Sequence, residues 1–398
     1  MENKSMTKLE LQTPCFIFDE YEFKNNINNF KQVLLKYFNS SIIGYSFKTN
    51  SLPRLLYLVK ELGCYAEVVS DDEYQLAEMI GFPQNHIIFN GPVKGEKMFQ
   101  HALEGESLIN IDSKREIDWL LGYHKTKPVN IGIRVNFDLE SMLPGQTSTG
   151  NKGGRFGFCY ENGELQTVFN RLKCDKNINI TRLHMHVSNA SKSVEVYEYL
   201  ARMACKIIDD EDLDISCIDF GGGYFGGGDN GGYYETYISK IYEVLKYNNN
   251  EKISVIVEPG ASVAATAFSY LSTVIDKKET TYGRFIVTDG TRLHIDPFMA
   301  KSNYDYDLLP RRNGEGNMQV ICGYTCMEKD RIMEINDVLI ETGDRIEYKI
   351  VGSYSMCFNA LFISYLPNVY SKTSSGTYKI VRNKWGIKEY IQGSRWKY

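Results

Sequence analysis

Apolar residues fall at helical spacing across 20–38 (Phe23, Ile27, Phe30, Val33, Leu34 and Tyr37), between the short apolar runs CFIFD at 15–19 and SIIGYSF at 41–47. A period near 3.6 predicts an amphipathic helix, and a short unbroken run rich in β-branched and aromatic residues predicts a buried strand. The couple then repeats. Strand-like runs begin near 41, 64, 86, 107 and 129, and helical stretches at 53–62, 71–81, 95–104 and 113–121 fill the intervals. The stretch at 71–81 opens on Asp71, Asp72 and Glu73 and closes on Gly81, the charge and stop signals of helix ends. The alternation resumes with a strand at 180–187, a helix at 193–208, a strand at 217–223, a helix at 233–246 and a strand at 253–260. Strands separated by helices of similar length predict parallel pairing with crossover helices, and eight regular units favour closure into a (β/α)8 barrel of the TIM type.

Beyond residue 265 the pattern changes. The runs YLSTVIDKK, GRFIVTDG, MQVICGYTC, RIEYKIVG and YKIVRNK alternate apolar and polar residues without long helices between them, which predicts an antiparallel β region. The expected architecture is a barrel domain at 36–268 and a β-sandwich or β-barrel domain built from 269–398 together with 1–35. Residues 138–155 (DLESMLPGQTSTGNKGGR) are turn-rich and are expected to form a loop over the barrel mouth.

Composition narrows the function classes. The 398 residues are 43% hydrophobic and 24% charged, with 45 Lys plus Arg against 50 Asp plus Glu, a net charge of −5. Disorder and general nucleic-acid binding are both disfavoured by that balance. No window approaches the ~18 consecutive apolar residues of a membrane span. The opening MENKSMTKLELQTP lacks the apolar stretch of a secretory signal, so a cytoplasmic location is expected. Nine cysteines, an odd number with no CxxC, predict free thiols rather than a disulfide framework or a zinc ribbon.

In a parallel barrel, chemistry gathers at the C-terminal ends of the strands. The first strand ends in Lys48, the sixth in His186 (with His184 two residues earlier), the seventh in Gly221, Gly222 and Gly223, and the eighth in Glu258. Each has a bland reading: a surface lysine past a strand, core histidines or a metal pair, a glycine turn, a paired buried acid. Jointly they supply an amine for a Schiff base, a flat ring, backbone N–H groups for a phosphate and a carboxylate for a ring nitrogen. Those are the groups a pyridoxal-phosphate site needs.

The ordered motifs TPCFIFD, FKTN, AEVVSDDE, HIIFNGPVK, IRVN, RFGF, HMHVSNAS, DFGGG, EPG, DG, CGYTCMEKD and GSY run through nearly the whole chain. In them it resembles the fold-type III pyridoxal-phosphate decarboxylases, the diaminopimelate and ornithine decarboxylase family. The resemblance implies pyridoxal 5'-phosphate as cofactor and α-decarboxylation of an amino acid, free or carrier-tethered. It implies that Lys48 is the Schiff-base lysine, His186 the histidine stacked on the cofactor ring, Gly221 to Gly223 the phosphate-binding glycines, Glu258 the partner of the ring nitrogen, and Gly260 and Asn189 further cofactor-binding residues. Arg134 and Tyr354 match an arginine and a tyrosine near the cofactor. Cys326 matches a cysteine supplied across a head-to-tail homodimer with shared sites and implicated in protonating the carbanion, and Asp330 ends the same motif. No metal is implied.

The chain departs from the family in its outer positions. Ala261 follows Gly260 where the family usually has arginine, Ser188 and Asn189 replace a glycine and the phosphate-binding serine, and Met327 follows Cys326 where diaminopimelate decarboxylases carry an acid. Their Arg-Pro pair aligns with Asp296–Pro297. Asp296, Met327 and Asp330 are therefore the candidate substrate-shell residues, with Asp296 an acceptor for a cationic tail. The rival readings are a racemase, which needs acid–base groups on both ring faces, an impaired regulatory homologue, which would be expected to lose Lys48, and a metal enzyme using His184 and His186.

Overall fold

The computed structural model describes residues 6–310, 317–336 and 338–396. The chain divides into two compact units, residues 26–262 and residues 1–25 with 263–398.

The first unit is the barrel. Its strands are β2 (Ser41–Ser46), β3 (Tyr65–Val68), β4 (Ile87–Phe89), β5 (Leu108–Ile111), β6 (Val129–Asn136), β8 (Ile178–His184), β9 (Cys217–Asp219) and β10 (Ser254–Val257). They pair in parallel in the order β5-β4-β3-β2-β10-β9-β8-β6, and β5–β6 pairing closes the ring. The two-residue β7 (Phe158–Cys159) adds to the edge of β6. These are the eight strands expected from the alternation. Between them run α2 (Pro53–Glu61), α3 (Asp71–Ile80), α4 (Glu96–Glu104), α5 (Lys114–Gly122), α7 (Glu164–Lys173), α8 (Val194–Asp210) and α9 (Tyr233–Tyr247). Their ends follow local chemistry. Pro53 sits in the first turn of α2, Ser70 and Ser113 accept from the N–H of Glu73 and Glu116 to cap α3 and α5, and Gly81 closes α3 at φ 92°. Aromatic packing accounts for several tyrosines: Tyr234 stacks on Phe30 with centroids 4.2 Å apart, and Tyr197, Tyr224 and Tyr237 pack together.

The segment expected as a loop at 138–155 contains a one-turn helix, α6 (Leu139–Met142), and is tied to the segment after β8. Ala190 N–H donates to Gln146 O at 2.8 Å and Ser148 N–H to Ser188 O at 3.2 Å.

The second unit is built on β1 (Cys15–Asp19), which lies inside its sheet rather than at an edge. The order is β15-β14-β12-β11-β1-β17-β18, with β16 pairing to β11 and to β13. The ranges are β11 (Phe268–Thr280), β12 (Gly283–Thr288), β13 (Tyr306–Leu309), β14 (Gln319–Cys322), β15 (Arg331–Ile335), β16 (Arg345–Tyr348), β17 (Asn368–Lys372) and β18 (Tyr378–Arg382). Helix α1 (Glu20–Tyr37) follows β1, α10 (Ala261–Ala264) and α11 (Arg292–Ile295) are single turns, and α12 (Ile387–Ile391) lies near the end. Most pairings are antiparallel, as expected. Two are parallel, β1–β17 and β12–β14, because each joins strands separated by a long crossover rather than a hairpin. Among the described residues, no helix is long and apolar enough to cross a membrane.

Candidate active site

The barrel gathers its polar side chains at the C-terminal ends of its strands. Lys48 sits in the short 3-10 turn that ends β2, beside β3, where Ser46 registers with Glu67. Its Nζ lies 2.5 Å from Glu67 Oε2 and 3.2 Å from Ser46 Oγ, and Ser46 Oγ also donates to Glu67. Burial works against the ammonium, but the neighbouring acids, Glu67 first among them by both charge and hydrogen bond, outweigh it and hold the lysine above its usual pKa. Lys48 is thus a paired ammonium whose nearest base is Glu67.

A chain of amides runs on from this pair. Asn90, after β4, donates to Glu67 Oε1 at 3.1 Å and to Glu258 Oε1 at 2.6 Å. Asn110, on β5, donates to Asn90 Oδ1 at 2.8 Å and to Asp219 Oδ2 at 3.0 Å. Arg134, on β6, is fixed by Asp112, whose Oδ2 accepts from its Nη1 at 2.8 Å while Oδ1 accepts from Gly157 N–H at 3.0 Å. Glu67, Asn90, Asn110, Asp112 and Asp219 were not singled out in the sequence. The available signal was a polar residue at the end of successive apolar runs, in YAEV, HIIFN and SLINID.

His184 and His186 hold nearly parallel rings, 13° apart with centroids 6.0 Å apart. Gly222 N–H donates to His186 Nδ1 at 3.3 Å, which leaves Nε2 to carry the proton of the neutral ring. Burial, then the charges of Arg134 and Lys48, push His186 down to about 3. A neutral flat ring at this place fits a stacking role. His184 Nε2 lies 3.7 Å from Glu258 Oε2.

Glycine is required in the next turn by close approach. At Gly221, φ is +64° and an added Cβ would stand 2.5 Å from His186 Cβ; at Gly222 it would stand 2.6 Å from Glu258 O. The N–H of Gly221 is already bonded to Asp219 Oδ1 at 2.9 Å, so two of the three expected phosphate donors have protein partners. A Cβ at Gly260 would stand 2.8 Å from Thr49 Cβ. Asn189 spends its amide on Ser193 O at 3.3 Å, helping to turn the chain into α8. The mouth opens into a cavity of about 660 Å³ lined by Arg134, Phe137, Leu139, Phe156, His186 and Ser188, a size that suits a small ligand.

The donor atoms of His184, Asp219 and Glu258 lie within 4.8 Å of one another. Their carboxyl oxygens already accept from Gly221, Asn110 and Asn90, so the set reads as hydrogen-bonded acids and not as a metal centre. The donor set instead fits a flat phosphorylated ring: an amine, a neutral imidazole face, glycines that leave room for a backbone approach, and a buried acid.

The remaining candidates belong to the other unit. Asp330 is buried and accepts from Thr291 Oγ1 at 2.9 Å, Arg292 N–H at 2.8 Å and Thr325 Oγ1 at 2.7 Å. It fastens the 322–330 turn that presents Cys326 as an exposed thiol, with Met327 next to it and half-buried. Asp296 accepts from Arg292 Nε at 3.0 Å and Nη2 at 2.9 Å, and from the N–H groups of Ala300 and Lys301. Its charge is matched by Arg292, so the open acceptor for a cationic tail expected at this position is not what the structure holds. The reason is local: the arginine one helical turn earlier reaches back to it. Tyr354, at φ +62°, places its ring 5.9 Å from that of Phe298 and 6.1 Å from that of Phe358.

Residues 22–265 match the family model described as "Pyridoxal-dependent decarboxylase, pyridoxal binding domain". The chain is 27% identical over 293 residues to a probable chloroplastic diaminopimelate decarboxylase of rice, Oryza sativa subsp. japonica, a match spanning 71% of this chain and 59% of that protein. It is 25% identical over 363 residues to diaminopimelate decarboxylase of Methanocaldococcus jannaschii, spanning 86% of this chain and 82% of that one. The crystal structure of a diaminopimelate decarboxylase from the same archaeon superposes with a TM-score of 0.86 at 22% identity, over 97% of this chain and 93% of the other. That structural likeness establishes the fold.

Proposed function

Because the chain belongs to the pyridoxal-dependent decarboxylases, we propose that it removes the α-carboxyl group of an amino acid, with pyridoxal 5'-phosphate held by Lys48, His186, the Gly221–Gly223 turn and Glu258. The observation that carries this reading is the single mouth at which the barrel collects an amine with its own base, a neutral imidazole, a glycine turn and a buried acid. The cofactor, when bound, supplies an electron sink for the bond broken at the substrate α-carbon.

The protein's own groups do the rest. Lys48 binds through Nζ, and Glu67, 2.5 Å away, takes the proton that the ammonium must lose before its nitrogen can act as a nucleophile. His186 offers its uncharged face and, anchored by Gly222, cannot rotate away. Glu258, held by Asn90, would be the acid partner of the ring nitrogen. Arg134 is kept in place by Asp112 as a cation at the mouth.

Cys326 is the proposed proton donor to the α-carbon, and two copies are proposed to assemble head to tail so that Cys326 of one copy serves the barrel of the other. Support comes from the exposed thiol and from exposed apolar side chains on the same unit, Phe298 packed on Phe358 and the consecutive Leu361, Phe362 and Ile363, the kind of surface that marks an interface when contiguous. All nine cysteines are free, as a reducing compartment leaves them. The substrate tail is proposed to lack a free carboxylate, since Ala261 and Asp296 stand where the family carries arginines. Met327 next to Cys326 adds no charge.

The test is release of carbon dioxide and amine over a panel of amino acids. Lys48→Ala should lose the borohydride-trapped cofactor and at least ~10³-fold in rate, because nucleophilic and proton-transfer roles end together. Mixing Lys48→Ala with Cys326→Ala chains should restore about a quarter of the activity by random pairing under two-fold symmetry. A borohydride-reducible adduct retained in Lys48→Ala would overturn the assignment of Lys48, and a fully active monomer would overturn the shared site.

A further inference from the structure

Two acids face each other beneath the cofactor site, and only one has an assigned role. Asp219 ends β9 and Glu258 follows β10, on adjacent parallel strands. Asp219 is 0% exposed and Glu258 3%. Asp219 is bonded at both oxygens, Oδ1 by Gly221 N–H at 2.9 Å and Oδ2 by Asn110 Nδ2 at 3.0 Å. Glu258 has one close donor, Asn90 Nδ2 at 2.6 Å on Oε1. Its Oε2 faces His184 Nε2 at 3.7 Å, beyond hydrogen-bond reach, and His184 is 2% exposed with neither ring nitrogen bonded.

Two carboxylates this close in a dry site cannot both be charged, so the pair holds one proton. The donors decide where it sits. Asp219 is the better-solvated anion, with a backbone N–H and an amide on its two oxygens, whereas Glu258 has a single amide. The other groups that face the pair do not reverse this choice. Lys48 is committed to Glu67, Glu67 adds negative charge near both acids, Tyr224 is neutral, and His184 is held neutral by burial. Arg182, on β8, spends its Nη2 on Ile109 O, and Cys217 is a protonated thiol.

We propose that Asp219 keeps a proton on Glu258 in the cofactor-free barrel, and that Glu258 passes this proton to the ring nitrogen when the cofactor binds. Asp219 is then a positioning residue. The balance is simple: the Glu258 O–H bond breaks, a ring N–H bond forms, and the second negative charge this leaves on the acids is matched by the positive charge gained by the ring. No proton has to be drawn from water into a closed site. The electrostatics agree in direction. Burial and then the charge of Asp219 push Glu258 well above the carboxylate range, while Asp219, raised by burial but stabilised by its donors, reaches about 6.

The proposal rests on the cofactor assignment above, and the test separates the two. Infrared spectra of the full-length protein are compared without and with pyridoxal phosphate, loading being followed independently by visible absorption. The cofactor-free wild type should show the carbonyl stretch of a buried carboxylic acid that disappears on loading and is missing from cofactor-free Glu258→Gln and Asp219→Asn. Calorimetric binding in two buffers of different ionisation enthalpy should show Asp219→Asn taking up about one more proton than wild type. Absence of the acid band from the cofactor-free wild type, or equal proton uptake by the two proteins, overturns the inference even if the cofactor loads normally. Failure of the cofactor to load overturns the proposed function, while the band in the free protein still decides the location of the proton.

Discussion

Replacing Gly221 by alanine puts a methyl group where His186 already stands. The built Cβ lies 2.5 Å from His186 Cβ and 2.6 Å from its Cγ, whereas carbon atoms rest at about 3.5–4.0 Å. The imidazole or the turn must therefore give by about 1 Å. The backbone adds its own penalty, since φ is +64° and a left-handed conformation costs an L-residue ~1–2 kcal/mol. Against a typical domain stability of ~5–15 kcal/mol this is affordable, and the barrel should fold. Catalysis is less tolerant, because a displacement of ~1 Å at a positioning group costs about 10²-fold. Gly63→Ala is the matched control: φ there is +67° and nothing lies within 4 Å of the built Cβ. It should carry the same backbone strain and lose no activity. The assay is a melt of both variants, cofactor titration of the cofactor-free proteins, and kcat/KM on the substrate found by the amine-release screen. If Gly221→Ala binds cofactor and turns over like Gly63→Ala, the close packing of the glycine turn on His186 does not position the ring, and the reasoning fails.

Three further outcomes follow from the same geometry. Lys94 and Glu116 form an ion pair with both side chains fully buried, Nζ 2.9 Å from Oε2, and Lys94 also donates to Gly91 O and Asn110 O; Glu116→Gln should lose ~3–5 kcal/mol in urea unfolding, and a loss under ~1 kcal/mol would contradict it. His186 and His294 are pushed down to about 3 from 6.5, mainly by burial, so the unfolded chain binds protons that the folded one refuses. Their effect is nil above that upper value and destabilising below it, by up to ~1.4 kcal/mol per pH unit for each histidine; His186→Gln should flatten the acid side of the stability profile, and an unchanged profile would argue against a buried neutral ring. Finally, meso-diaminopimelate should be a poor substrate beside amino acids with neutral or cationic tails, and turnover of it equal to the best of them would refute the reading of the altered outer positions.

Periodicity carried the fold, and strand ends carried the first group of candidate site residues. A switch from 3.6-residue to short apolar runs reports which face of each element leaves water, and that information is local, so all eight barrel strands were legible. So was the place of Lys48, His186, Gly221 to Gly223 and Glu258, since a parallel barrel puts strand ends together whatever their order. In the second unit β13, β15 and β17 escaped, being short and interrupted by polar residues.

What only the tertiary structure decided is who partners whom. Asn90 meets Glu258 across 168 residues and Asn110 meets Asp219 across 109, contacts that exist because barrel closure sets β4 three places from β10 and β5 three places from β9 around the ring. Lys48 was legible as an amine at a strand end, but its partner was not: β3 places Glu67 beside it. Asp296 looked like an open acceptor until α11 brought Arg292 back onto it. A residue type states which charge or hydrogen bond is offered; whether it is free to act depends on what the fold sets within about 3 Å of it, and no local pattern in the chain encodes that distance.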